Sequence, residues 1–178
     1  FVSGALSSVA ALGLGTSLVR LPDEPVDDDL RVVLAAQHAV AVPLALGLWL
    51  LAPVITQILL RPDGETLLLR AVAIAVVLVP LQTVPFARLE RRLDFARLAS
   101  VEIVQALAFN VVAIAVTAAG GGTAGVALAI VLRALAGAVL ATLLEPWRVG
   151  WKTDVERLRP LLRFRLPLQA TTWISLVQ

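Results

Sequence analysis

Residues Arg88–Arg97 read Arg-Leu-Glu-Arg-Arg-Leu-Asp-Phe-Ala-Arg, and this short charged stretch separates two long apolar ones. The apolar stretches run over roughly 67–87 and 98–119, and each is about 20 residues long. A helix of about 20 residues is roughly 30 Å long, which is the thickness of the hydrocarbon core of a bilayer. Residues 71–79 and 106–119 are apolar on nearly all sides of a helix, as segments immersed in lipid are. The charged stretch is therefore predicted to be a loop between two membrane spans.

The composition of the whole chain also indicates a helical membrane protein. Of its 178 residues, 59% are hydrophobic and 16% are charged, and the mean hydropathy is +0.90. Soluble domains are about 45–50% apolar and about 25% charged. The alternation of polar and apolar residues that is typical of β-barrels does not appear in the sequence. We therefore predict an all-α, polytopic membrane protein with about five to six transmembrane helices.

Several classes of function are disfavoured by the residues that are missing. The net charge of +2 comes from arginine clusters in loops, without the interleaved aromatic residues of a nucleic-acid-binding patch. Cysteine is absent, which excludes disulfides, thiolate catalysis and cysteine-ligated metals. His38 is the only histidine, and the acidic loop 20–31 lacks the ligand spacing of an EF-hand. We predict no nucleic-acid partner, no metal or cofactor, and no catalytic residue.

Positive charge is concentrated in alternate loops. Loops 20–31, 88–97 and 147–165 contain two, four and six Lys or Arg residues, which is twelve of the fifteen in the chain. Alternate loops of a polytopic protein lie on the same side of the membrane, and Lys and Arg are enriched in cytoplasmic loops. We therefore predict that these three loops are cytoplasmic, with Trp147 anchored at the membrane interface.

The span that precedes Arg88 contains two helix-breaking prolines. Pro80 and Pro85 each remove a backbone donor, and Gln82 and Thr83 lie between them, where they would bond the carbonyl groups that the prolines leave free. Broken helices of this kind often line transporter cavities, although a purely structural kink is at least as common.

Arg133 and Asn110 are the candidate functional residues within the membrane. Leu98–Ala119 and Thr123–Leu144 are predicted to form an antiparallel hairpin closed by Gly120–Gly122, which places Arg133 beside Phe109–Asn110 near the middle of the bilayer. An arginine at that depth costs about 2.5–3.5 kcal/mol on insertion scales, so it should face protein or a water-filled cavity. Two interpretations stay open: Arg133 pairs with Asn110 or an acidic group of another helix, or it contacts an anionic substrate.

Three segments resemble a known family of transporters. They are Leu12–Arg20 (Leu-Gly-Leu-Gly-Thr-Ser-Leu-Val-Arg), Pro85–Phe95 (Pro-Phe-Ala-Arg-Leu-Glu-Arg-Arg-Leu-Asp-Phe), and Glu145–Arg148 followed by Leu161–Leu168. In order and spacing they resemble parts of helices two to seven of the bacterial polysaccharide (oligosaccharide) flippases. These are the Wzx-like lipopolysaccharide biosynthesis proteins of the MOP superfamily, and the family usually has Gly where this chain has Arg165.

The resemblance implies a two-lobe transporter of which this chain is a fragment. Residues 1–146 would belong to the first lobe, 147–162 to a cytoplasmic connector, and 163–178 to the start of the second lobe. The implied function is to flip polyprenyl-diphosphate-linked oligosaccharide across the bacterial inner membrane by alternating access, in contact with membrane lipids. Arg133 would then contact the diphosphate or acidic sugars, supported by Asn110.

The resemblance leaves open whether an ion drives transport. Three other functions also stay open. A MATE-type cation antiporter would need carboxylates near mid-span, and a lipid II flippase belongs to another branch of the same superfamily. A membrane-embedded glycan polymerase is less favoured, because the loops on the side opposite the arginines are short. We therefore expect a transporter rather than an enzyme.

Overall fold

The described part of the chain consists of helices. A computed structural model describes residues 27–59, 65–147 and 150. The helices are α1 (Asp27–Leu59), α2 (Glu65–Leu78), α3 (Pro80–Arg91), α4 (Phe95–Val116) and α5 (Thr123–Leu144), with a π-helical turn at Thr117–Gly121. No strand occurs within the described ranges, and this confirms the prediction of an all-α, polytopic membrane protein.

Three or four spans are present among the described residues. The helix α1, the helix α4 with its π-helical turn, and the helix α5 are each long and apolar enough to cross a membrane. The shorter α2 and α3 would together make a fourth span, bent by 47°. The two remaining apolar stretches of the sequence, Phe1–Val19 and Phe164–Gln178, lie outside the described residues.

The charged stretch 88–97 is shorter as a loop than predicted. Only Arg92–Asp94 lie between α3 and α4, because Leu89 is buried against the bundle and keeps α3 helical to Arg91. Leu93 has a φ of 56°, which turns the chain. The Asp94 carboxylate then caps α4 by accepting a hydrogen bond of 3.2 Å from the backbone N–H of Arg97.

The predicted hairpin of α4 and α5 is present. Its turn contains Gly120 and Gly122 with φ angles of 87° and 51°, a backbone region that favours glycine. The helix α5 presents small residues to its neighbours, which lets the helix backbones approach closely. The buried small residues are Gly125, Ala127, Ala129, Ala134, Gly137, Ala138 and Ala141.

Two buried clusters hold α1 against the bent span. One, at the start of α1, joins it to α3 and includes Leu34, Val84 and Trp147. The other joins the middle of α1 to α2 through Ala45, Val76 and their neighbours. Trp147 is only 9% exposed, so it is a core residue and not the interfacial anchor expected from the sequence. The bent span lies between α1 on one side and α5 on the other, since α2 packs against both of these helices.

Candidate functional site

The site begins at the break between α2 and α3. The backbone N–H of Val79 still donates to the carbonyl oxygen of Ala75 at 2.9 Å, and that of Gln82 donates to the carbonyl of Val79 at 3.2 Å. Pro80 has no N–H, so the helical ladder is interrupted at this position. The result is the 47° bend, and a cavity lies beside it.

The cavity has a volume of about 570 Å³ and is open rather than enclosed. Both halves of the bent span contribute to its wall, together with α4 and α5. The lining combines apolar, aromatic, amide and cationic side chains. Its residues are Ala75, Val79, Gln82, Thr83, Phe86, Gln105, Phe109, Ile130, Arg133 and Ala134.

Arg133 is the cation of this cavity. It is the eleventh of the 22 residues of α5, so it lies at the middle of that span. Its side chain lines the cavity together with Phe109, in agreement with the register predicted for the hairpin. Among the residues described, no carboxylate lies within salt-bridge distance of Arg133. Its charge is therefore available to an anion that enters the cavity.

Asn110 lies outside the cavity wall. Its side-chain amide donates a hydrogen bond of 2.7 Å to the carbonyl oxygen of Ala106, one turn earlier in α4, and the residue is exposed. Neighbouring positions on a helix point about 100° apart, so Phe109 and Asn110 face different surroundings. The structure thus brings Arg133, but not Asn110, to the cavity, and a supporting role of Asn110 in substrate binding stays a prediction.

A glutamine pair is the part of the site that sequence reasoning missed. Gln105 Nε2 of α4 donates to Gln82 Oε1 of α3 at 2.7 Å. The sequence predicts that Gln82 bonds carbonyl groups freed by the prolines, but in the structure its partner is the Gln105 side chain. The only signal in the sequence was an isolated glutamine in each of two apolar stretches, and that signal does not show that the two residues meet.

Gly137 of α5 makes room for the pair. A Cβ at this position would lie 2.7 Å from Gln82 Oε1 and closer still to Gln105 Nε2. A larger residue would therefore separate the two amides. The pair depends on three helices, because α3 and α4 supply the glutamines and α5 supplies the space.

A second polar cluster lies at the end of the bundle where α3 ends and α4 begins. This end carries Arg88, Arg92 and Glu145 and is called the connector end. Arg92 donates to the buried Glu145 carboxylate at 3.0 Å, and Arg88 lies 3.8 Å from the other oxygen of Glu145. Arg88 also lies 3.5 Å from Asp27, which starts α1. These contacts bring together residues at or beside the three loops predicted to share one side of the membrane. Glu145 lies twelve residues from Arg133 along the chain, roughly 18 Å for a helix, so the cluster is separate from the cavity.

The candidate metal ligands of the described helices are not clustered. The described ranges contain no group of three or more His, Asp or Glu residues placed to hold a metal ion. The ring Nδ1 of His38 donates to the carbonyl oxygen of Leu34 at 3.0 Å, within its own helix.

Comparison with known proteins then gives the family. No curated protein and no solved structure shows a significant match to the chain. A family model described as polysaccharide biosynthesis protein matches residues 1–177, which is almost the whole sequence. With its apolar spans and the cavity beside the bent one, the chain is a membrane protein that belongs to this polysaccharide biosynthesis protein family.

Proposed function

We propose that this chain is part of a flippase that moves polyprenyl-diphosphate-linked oligosaccharide across the bacterial inner membrane for surface polysaccharide synthesis. The observation that carries the proposal is Arg133, a cation at the middle of a span that lines an open cavity and pairs with no described carboxylate. Membership of a polysaccharide biosynthesis family supports the glycan part of the proposal.

The energetics of Arg133 favour an anionic ligand over a structural role. A charged residue at mid-bilayer is costly, and a structural arginine would offset that cost by pairing within the protein. Arg133 instead lines an open cavity that an anionic ligand can enter. A guanidinium binds phosphate oxygens through two parallel hydrogen bonds, so a lipid-linked diphosphate suits the position.

The bent span fits transport better than a rigid scaffold does. Residues on both sides of the break at Val79 line the cavity, so a change in the bend would change its shape. Residues 1–146 would form the first lobe, 147–162 the connector, and 163–178 the start of the second lobe that closes the open side. We place the end that carries Arg88, Arg92 and Glu145 in the cytoplasm, because twelve of the fifteen Lys and Arg residues lie in segments 20–31, 88–97 and 147–165, which the predicted topology puts on that side.

The test is complementation of a flippase-deficient strain by the full-length protein. Surface glycan and accumulated lipid-linked intermediate are measured together. Restored export with loss of the intermediate supports the proposal. No rescue in strains that differ in glycan structure, with verified membrane insertion, contradicts it, and drug and ion efflux would then be measured for an antiporter.

The first substitution to test is Arg133→Ala. We expect export to fall at least tenfold, because a charge-assisted bond to phosphate is worth about 1.5–3 kcal/mol. Arg133→Lys should retain part of the activity, since it keeps the charge but not the paired bonds. Arg97→Ala is the matched control, because Arg97 is an exposed arginine paired with Asp94 beside the loop. Full export by Arg133→Ala at normal expression would contradict the proposed role.

A further inference from the structure

The glutamine pair in the cavity wall has hydrogen-bonding capacity that the protein does not use. Each glutamine side chain carries an amino group with two donors and an oxygen with two lone pairs. The bond of 2.7 Å uses one donor of Gln105 and one acceptor site of Gln82. Among the described residues neither side chain has another hydrogen bond. The amino group of Gln82 and the oxygen of Gln105 are thus left for a ligand or water.

The pair lies close to Arg133 along α5. Gly137, which contacts both amides, is four residues after Arg133, so the two positions are on the same helix face and about 6 Å apart along the axis. That separation is comparable to the width of a sugar ring. Arg133 and both glutamines line one cavity of about 570 Å³, so an anionic group at Arg133 and a neighbouring sugar unit at the glutamines would share it.

The rest of the wall has the character of a carbohydrate site. Phe86 and Phe109 present aromatic surface on which the C–H face of a sugar ring packs, and Thr83 adds a hydroxyl. A free donor beside a free acceptor complements an acetamido group, which has one N–H and one carbonyl, and it equally complements two neighbouring hydroxyls. A lipid tail would use neither amide.

We propose that Gln82 and Gln105 recognise the sugar unit next to the diphosphate, through its acetamido group or its neighbouring hydroxyls. This inference rests on the proposed function, because it takes the diphosphate to be the ligand of Arg133. It assigns two roles: Arg133 binds the diphosphate that all polyprenyl-diphosphate-linked glycans share, and the glutamine pair discriminates among the sugars.

The test is binding to the purified full-length protein of three water-soluble probes. They are farnesyl diphosphate, farnesyl-diphospho-N-acetylglucosamine and farnesyl-diphospho-glucose, each titrated by calorimetry. The wild type should bind at least one sugar-linked probe more tightly than farnesyl diphosphate. A preference for the acetamido sugar or for glucose distinguishes the two chemistries.

The variant is Gln82→Leu with Gln105→Leu. Replacing both partners of a hydrogen bond by apolar groups of similar shape is nearly neutral for folding, whereas replacing one leaves an unsatisfied amide. We expect affinity for the preferred sugar-linked probe to fall about tenfold, which corresponds to two neutral hydrogen bonds, and affinity for farnesyl diphosphate to change less than about twofold. Gln105→Met alone should lower the sugar-linked affinity about threefold and gives a second test if the double variant aggregates.

Gln57→Leu is the control, because Gln57 is an exposed glutamine of α1 that does not line the cavity. Equal loss for all three probes, or no loss for any, overturns the role of the pair while leaving the role of Arg133 intact. A wild type without preference for a sugar-linked probe does the same. If the wild type binds none of the three probes, the proposed function itself fails and the inference fails with it.

Discussion

The connector end of the bundle and the cavity both contain arginines, but they use them differently. At the connector end, the side chain of Glu145 is only 6% exposed and lies between Arg88 and Arg92, while Arg88 also reaches Asp27. In the cavity, Arg133 has no carboxylate partner among the described residues, and the glutamine pair uses only part of its hydrogen-bonding capacity.

The difference separates structural polar groups from functional ones. A buried charge that is paired within the protein fixes the helices that carry it, and removing one partner leaves the other without compensation. A polar group that is left unpaired at mid-membrane lowers the stability of the fold, because no partner within the protein offsets its desolvation. Its presence there points to a ligand. Three substitutions test this contrast through the stability of the protein, measured by unfolding in a titration with SDS.

Glu145→Ala should have the largest effect. It removes the carboxylate that joins the ends of α3 and α5, and Arg88 and Arg92 lose a partner. We expect a loss of about 2–3 kcal/mol, below the usual value for a fully buried pair because the side chain of Arg92 is 55% exposed. Arg97→Ala removes an exposed pair and should cost less than about 0.5 kcal/mol. Equal effects of the two variants would show that the cluster is not a structural unit.

Gly137→Ala should have an intermediate effect, because the new methyl group meets both amides of the glutamine pair. We expect a loss of about 1–2 kcal/mol from overpacking. Gln105→Ala should make room for the methyl group, so the double variant Gly137→Ala with Gln105→Ala should cost less than the sum of the two single variants. If the losses of stability of the two single variants simply add in the double variant, the glutamine pair does not require Gly137.

Arg133→Ala should have the smallest effect on stability and yet a large one on export. Among the described residues the substitution leaves no carboxylate unpaired, and it removes a charge from mid-span. We expect stability within about 0.5 kcal/mol of the wild type, or a slight gain, as at sites where function is kept at the expense of stability. A loss of more than about 1 kcal/mol would indicate a structural partner for Arg133 and would remove the contrast with the connector end.

The sequence by itself determined the class of the protein and much of its layout. Runs of about 20 apolar residues leave few alternatives to helices in a membrane, because every backbone polar group must be satisfied within its own segment. The glycines at 120–122 predicted the hairpin, and α5 has the bounds Thr123–Leu144 that were expected. The hairpin register then placed Arg133 beside Phe109 without any knowledge of the other helices.

Only the tertiary structure decided which polar side chains meet. Asn110 and Phe109 are neighbours in sequence, but the rotation of α4 turns Phe109 toward the cavity and leaves Asn110 bonded to its own helix. Trp147 was expected at the interface and is buried, because α1 and α3 form a pocket for it. Gln82 and Gln105 meet only because Gly137 of a third helix leaves room. The periodicity of apolar residues indicates which face of a single helix is buried. A contact between side chains of different helices depends on how those helices are rotated and how they cross, and packing sets both.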